Sequence, residues 1–158
     1  MSLSDGDFLH KAFLQARRAQ ARGEVPVGAV LVRDGQIVAG AYNLKEYKQD
    51  ATAHAELLVL KKAMRLLKTW HLEELTLYST LEPCPMCAGA ILHARIKRVV
   101  FGALDYKWGG AGSIVDLFTP QKFNHVLEVA YTPSVECSAI LTSFFRDLRL
   151  KSKVHNNG

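Results

Sequence analysis

Apolar residues recur along the chain with two different periods, and the changes of period mark out its elements. Phe8, Ala12, Phe13, Ala16 and Ala19 fall at helical spacing, which predicts an amphipathic helix over about 5–22, ended by Gly23. Two compact apolar runs follow, Gly28-Ala29-Val30-Leu31-Val32 and Ile37-Val38-Ala39-Gly40-Ala41, separated by Arg33-Asp34-Gly35-Gln36. Asp-Gly between two such runs predicts a tight hairpin. From Ala53 to about Leu67 the period is helical again, with Thr52 a candidate N-cap. Residues 75–80 read as a buried strand, 86–94 as a second helix opening at the cysteines, and 97–102 as a fourth strand. A helix over about 133–151 and a short disordered tail complete the outline.

Composition bounds what such a chain can be. With 158 residues, 49% hydrophobic and 22% charged, it is long enough for one domain with a substantial core and too short for two of usual size. No apolar run approaches the ~20 residues of a membrane span, and a start with Asp5 and Asp7 is unlike a secretory signal. Three cysteines make no disulfide framework, so a soluble, cytoplasmic protein without a membrane partner is expected. The net charge of +5 favours a polyanionic partner. Lys45, Lys48, Lys107 and a C-terminal group of Arg146, Arg149, Lys151 and Lys153 supply part of that charge.

The candidate chemistry lies in two short stretches. His54-Ala55-Glu56 supplies an imidazole and a carboxylate, and Pro83-Cys84-Pro85-Met86-Cys87 supplies two thiols. One nitrogen and two thiolates select zinc over magnesium or calcium, and three protein ligands leave a fourth tetrahedral position for water. In mid-helix His54 and Glu56 would point about 200° apart, whereas at a helix N-terminus both converge near the axis. Pro85 suits the first turn of the next helix, whose positive end favours thiolate. Two βαβ crossovers would bring both helix starts to one edge of the sheet, where open α/β sheets place their sites. A redox dithiol and a closed structural zinc site are the alternatives. The latter needs a fourth ligand from Cys137, His71 or His93, of which His93 should face away from the cysteines and Cys137 fits an apolar helix face.

With the triplet, the run Thr80-Leu81-Glu82-Pro83-Cys84-Pro85-Met86-Cys87-Ala88-Gly89-Ala90 and the strand Val99-Val100-Phe101-Gly102-Ala103, the chain resembles the bacterial tRNA adenosine deaminases from about residue 24 to 146. That resemblance implies a three-layer α/β/α, cytidine-deaminase-like fold with a central mixed sheet of about five strands. It implies one zinc ion per subunit on His54, Cys84 and Cys87, and Glu56 as the catalytic proton shuttle that converts a wobble adenosine to inosine. It also implies a homodimer acting on a tRNA anticodon stem-loop. Asn43, Val27 and Ala55 match positions around the flipped base, Asp105 and Lys107 match positions near the RNA backbone, and Phe145 and Arg146 match a helix that closes over it. Asp50-Ala51 stands where many relatives have Asp-Pro, which removes a rigid residue but no reactive group. A deaminase of a free base, guanine above all, and a non-catalytic RNA-binding module with structural zinc remain the competing readings.

Overall fold

The structure, a computed structural model, describes residues 2–119 and 123–157. Helix α1 (Asp5–Ala21) opens at Ser4, whose hydroxyl accepts from the Asp7 amide while Asp7 accepts in return, a capping box. Its buried stripe is Phe8, Leu9, Ala12, Ala16 and Ala19. Leu9 therefore belongs to the core, and Phe13, expected there, is only half-buried. Strands β1 (Gly28–Arg33) and β2 (Gln36–Tyr42) form the expected hairpin, with positive φ at both Asp34 and Gly35 as a tight two-residue turn requires.

A short helix α2 (Lys45–Lys48) precedes α3 (Ala55–Leu67), strand β3 (Thr76–Ser79), helix α4 (Pro85–His93) and strand β4 (Arg98–Phe101). Strand β5 (Glu128–Tyr131) and helix α5 (Val135–Asn156) follow. Helix α5 runs past residue 151, so residues 152–156 are helical where a disordered tail was expected. The Ser134 hydroxyl caps its start.

The five strands form one mixed sheet in the order β2-β1-β3-β4-β5. Strand β1 is antiparallel to both β2 and β3, while β3, β4 and β5 are mutually parallel. Alternation along the strands divides the core in two. Ala29, Leu31, Leu77, Val99 and Phe101 meet Val59 and Leu60 of α3 and Ala88 and Ile91 of α4 on one face. Val30, Val32, Tyr78 and Val100 meet Phe8, Leu9 and Ala12 of α1 on the other. Helix α5 lies against α1, where His10 and Glu136 bond at 2.7 Å, so the architecture is the α/β/α arrangement expected. Asp5 ties the start of α1 to the sheet through two 2.7 Å bonds from Arg98 and one of 2.8 Å from the Tyr78 hydroxyl.

This topology fixes where chemistry can gather. Strands β2 and β3 run in the same direction, and each feeds a helix, α3 and α4 respectively. The N-termini of α3 and α4 consequently stand at the same edge of the sheet.

Candidate active site

Each of those helix starts delivers a metal-ligand type. His54 is the N-cap of α3 and Cys84 the N-cap of α4, both in extended conformation, and neither side chain caps its own helix. Thr52 is therefore not the cap that was expected. Its hydroxyl bonds the Asp50 carboxylate at 2.7 Å instead, and the chain turns through residues 51–52 before His54. Pro85 occupies the opening of α4 with no amide to lose, and Cys87 lies in the same first turn.

The three donors converge. His54 Nδ1 lies 3.7 Å from Cys84 Sγ and 3.6 Å from Cys87 Sγ, and all three ligand atoms fall within 4.8 Å of one another. A tetrahedral ion bound at about 2.1 Å to nitrogen and about 2.3 Å to sulfur needs N···S separations of about 3.6 Å. Both N···S separations therefore match such an ion. Among the described residues no fourth His, Cys, Asp or Glu joins it. Cys137 is buried against Gly102 and Ser134, His71 bonds Glu73 and stacks on Trp70, and His93 stands on the groove beside Trp70. Three protein ligands are the pattern of an open, reactive metal position.

Protons are distributed unevenly over this cluster. Hydrogen bonding from Cys87, with a further contribution from His54, brings Cys84 down to about 4, so Cys84 ionises first. The same Cys84 partner, together with burial, pushes the Cys87 thiol up, and Cys84 also raises His54. A bound cation displaces these protons, because thiolate and neutral imidazole are the ligating forms. Glu56 is buried beside the cluster, and desolvation raises its carboxyl above the ordinary range. Burial of this kind favours the protonated, uncharged carboxyl. The Ser79 hydroxyl, itself buried, lies 3.1 Å from Glu56 Oε1.

Two buried carboxylates, Glu82 and Glu24, which no motif or periodicity singles out, build the surroundings. Glu82 lies two residues before Cys84 and accepts from the main-chain N–H groups of Asp105 at 3.2 Å, Ala111 at 3.0 Å and Ser113 at 3.1 Å, and from the Ser113 hydroxyl. Gly110 donates to Pro83 O at 2.7 Å, and a Cβ there would meet the Cys84 carbonyl carbon at 3.0 Å. The glycine-rich loop Gly109-Gly110-Ala111-Gly112-Ser113 is thus fastened directly to the ligand segment. Glu24 accepts from the amides of Glu46 and Tyr47 and so holds α2.

The remaining expected residues divide by location. Val27 and Ala55, the latter the first residue of α3, are buried in the core cluster. Asn43 is buried, with its amide donating to Val25 O at 3.1 Å and accepting from the Lys45 N–H at 3.1 Å, which leaves one N–H and one lone pair for a ligand. Asp105 turns its carboxylate into its own loop, accepting from the amides of Lys107 and Trp108. Lys107 is exposed. Phe145 and Arg146 are exposed on α5, with Arg146 on the wall of a groove shared with Ser134, Ser138 and Thr142.

Residues 3–149 match the MafB19-like deaminase family. A tRNA-specific adenosine deaminase of Bacillus subtilis is 49% identical over 147 residues, covering 92% of this chain and 91% of that one. The chain belongs to the tRNA-specific adenosine deaminase family. A second member, from Aquifex aeolicus, is 46% identical over 142 residues, covering 90% of this chain and 94% of its own. A solved tRNA:A34 deaminase, studied for A-to-I editing at the wobble position of transfer RNA, superposes with a TM-score of 0.81 at 42% identity. It covers 85% of this chain and 98% of that one. The guanine deaminase of Bacillus subtilis superposes less completely, with a TM-score of 0.62 over 65% of this chain and 66% of its own, at 39% identity. No helix among the described residues of this deaminase is long and apolar enough to cross a membrane.

Proposed function

We propose that this chain hydrolyses the wobble adenosine of a tRNA anticodon loop to inosine and ammonia, with one zinc ion per subunit held by His54, Cys84 and Cys87. The observation that carries the reading is the tetrahedral spacing of those donors around an open position, with the buried Glu56 beside it. Zinc, when bound, supplies the Lewis acidity that makes water nucleophilic at neutral pH. Glu56 takes the proton of that water and delivers it to N1 of the adenine while the oxygen bonds to C6. Glu56 then passes the second proton to the exocyclic nitrogen, the C6–N bond breaks, and ammonia leaves. Burial raises the Glu56 carboxyl, which favours its protonated form between the two transfers.

Around that chemistry, the free N–H and lone pair of Asn43 suit the edge of a splayed purine, and Val27 and Ala55 shape the wall beside it. Lys107 and Arg146 are placed to meet phosphates, Phe145 to meet an unpaired base, and Asp105 to hold the loop that presents Lys107. The reading carries with it a homodimer in the cytoplasm, a reducing compartment that suits three cysteines without a disulfide. Glu56→Gln tests the reading: turnover of an anticodon stem-loop is lost while metal content and stem-loop binding persist. Turnover retained by that variant would overturn it.

A further inference from the structure

Residues 105–109 form a single turn that holds three consecutive side chains out in solvent. Asp105 Oδ1 accepts from the amides of Lys107 and Trp108 at 3.0 Å each, and the Asp105 carbonyl accepts from Gly109 N at 2.9 Å. The turn is fastened at its base by Glu82, and its next residue, Gly110, is bonded to the segment that carries Cys84. On this fixed knuckle Tyr106 is 76% exposed and Trp108 69% exposed, with the exposed Lys107 between them. Among the described residues neither ring stacks on another aromatic ring or under a cation.

Two large rings on a preorganised turn offer flat apolar faces, and the ammonium between them offers a phosphate contact. Unpaired nucleotides present those two chemistries in alternation, and they stack on aromatic side chains. A second copy of this chain is a poorer occupant, because it brings its own +5 charge against Lys107, and lysine is depleted in the core of protein interfaces. Building on the tRNA reading above, we propose that Tyr106 and Trp108 stack on unpaired anticodon-loop bases beside the target adenosine, with Lys107 neutralising the phosphate between them. These residues would then set how tightly the loop is held and which neighbouring bases are accepted, without taking part in the bond changes at C6.

The test uses the zinc-loaded protein and a synthetic anticodon stem-loop with a wobble adenosine. Tyr106→Ala and Trp108→Ala should each raise KM by about 5- to 150-fold, the worth of one base stack, with kcat within about twofold of the parent. Trp108→Phe should recover most of the loss. Lys107→Ala should flatten the slope of log affinity against log salt by about one. The chain has two tryptophans, so in a Trp70→Phe background Trp108 fluorescence should be quenched by the stem-loop and not by a fully paired duplex. Unchanged KM in both alanine variants, with the parent still deaminating the stem-loop, would overturn this inference and leave the tRNA reading standing. A parent protein that does not deaminate the stem-loop removes both. Dissociation of a dimer by either substitution, seen by light scattering without RNA, would instead assign the knuckle to contact between copies and overturn it too.

Discussion

Replacing Glu82 with alanine removes the shared acceptor of three main-chain amides and one hydroxyl. The carboxylate is 2% exposed and holds the amides of Asp105, Ala111 and Ser113 together with the Ser113 hydroxyl. Hydrogen bonds to a charged acceptor contribute about 1.5–3 kcal/mol each, which sets a ceiling of roughly 5–9 kcal/mol for the three amides. The loop borders solvent and can detach to hydrate them, so the expected loss is smaller, about 2–4 kcal/mol. It should be local before it is global. Amide hydrogen exchange at Ala111 and Ser113 should therefore accelerate by about 30- to 1000-fold, and the urea midpoint of the zinc-loaded protein should fall. Glu82→Gln, which keeps one acceptor oxygen, should lie between the parent and Glu82→Ala. A stability loss below about 0.5 kcal/mol, the range of an unremarkable surface change, with exchange at Ala111 and Ser113 unaltered, would refute the assignment of Glu82 as the anchor of the loop.

Gly109→Ala should be as damaging as loss of Glu82 itself, because a Cβ there would lie 2.3 Å from Glu82 Oε2 and 2.5 Å from the Asp105 carbonyl; thermal denaturation and stem-loop kinetics would register it, and a variant of parental stability would contradict the close approach. Cys87→Ser should cut bound zinc well below one per chain by elemental analysis, since a hydroxyl is a far weaker ligand than thiolate at this site. The ion pair of Asp5 with Arg98 should stabilise the fold by about 1–2 kcal/mol, discounted for its partial exposure. Arg98 lowers the Asp5 carboxyl, so this contribution is complete above the unfolded value of about 3.9 and disappears as pH falls through the depressed folded value. The gap in urea stability between the parent and Asp5→Asn should accordingly be constant near neutrality and close in strong acid.

Which parts of this molecule could be read from sequence follows from how local their causes are. The hairpin was legible because Asp34-Gly35 sits between two apolar runs, and α3 and α4 because their buried stripes repeat at helical spacing. The metal ligands were legible because few residue types bind a borderline divalent ion and those types occur here in an informative order. Helix α2 had no such signal. Its four residues are all exposed, and it is held by Glu24, more than twenty residues earlier in the chain. A fifth strand was expected, but the position of β5 is not legible because its edge location leaves it half-exposed, without a continuous apolar run, and among the described residues it pairs with β4 alone. Thr52 carried a good capping side chain, but Asp50 captured its hydroxyl, and the helix began two residues later than its apolar pattern suggested. Glu82 carries no local sign of its burial, because its partners are 23 to 31 residues away and all but one are main-chain amides. Buried polar anchors of this kind leave no periodic trace.

Single-turnover deamination of an anticodon stem-loop bearing a wobble adenosine, run beside free guanine, cytidine and adenosine, bears most directly on the central claim. Conversion of the stem-loop adenosine alone to inosine is the predicted result. Conversion of free guanine with the stem-loop untouched would contradict it and align the chain with the guanine deaminases it also resembles in structure.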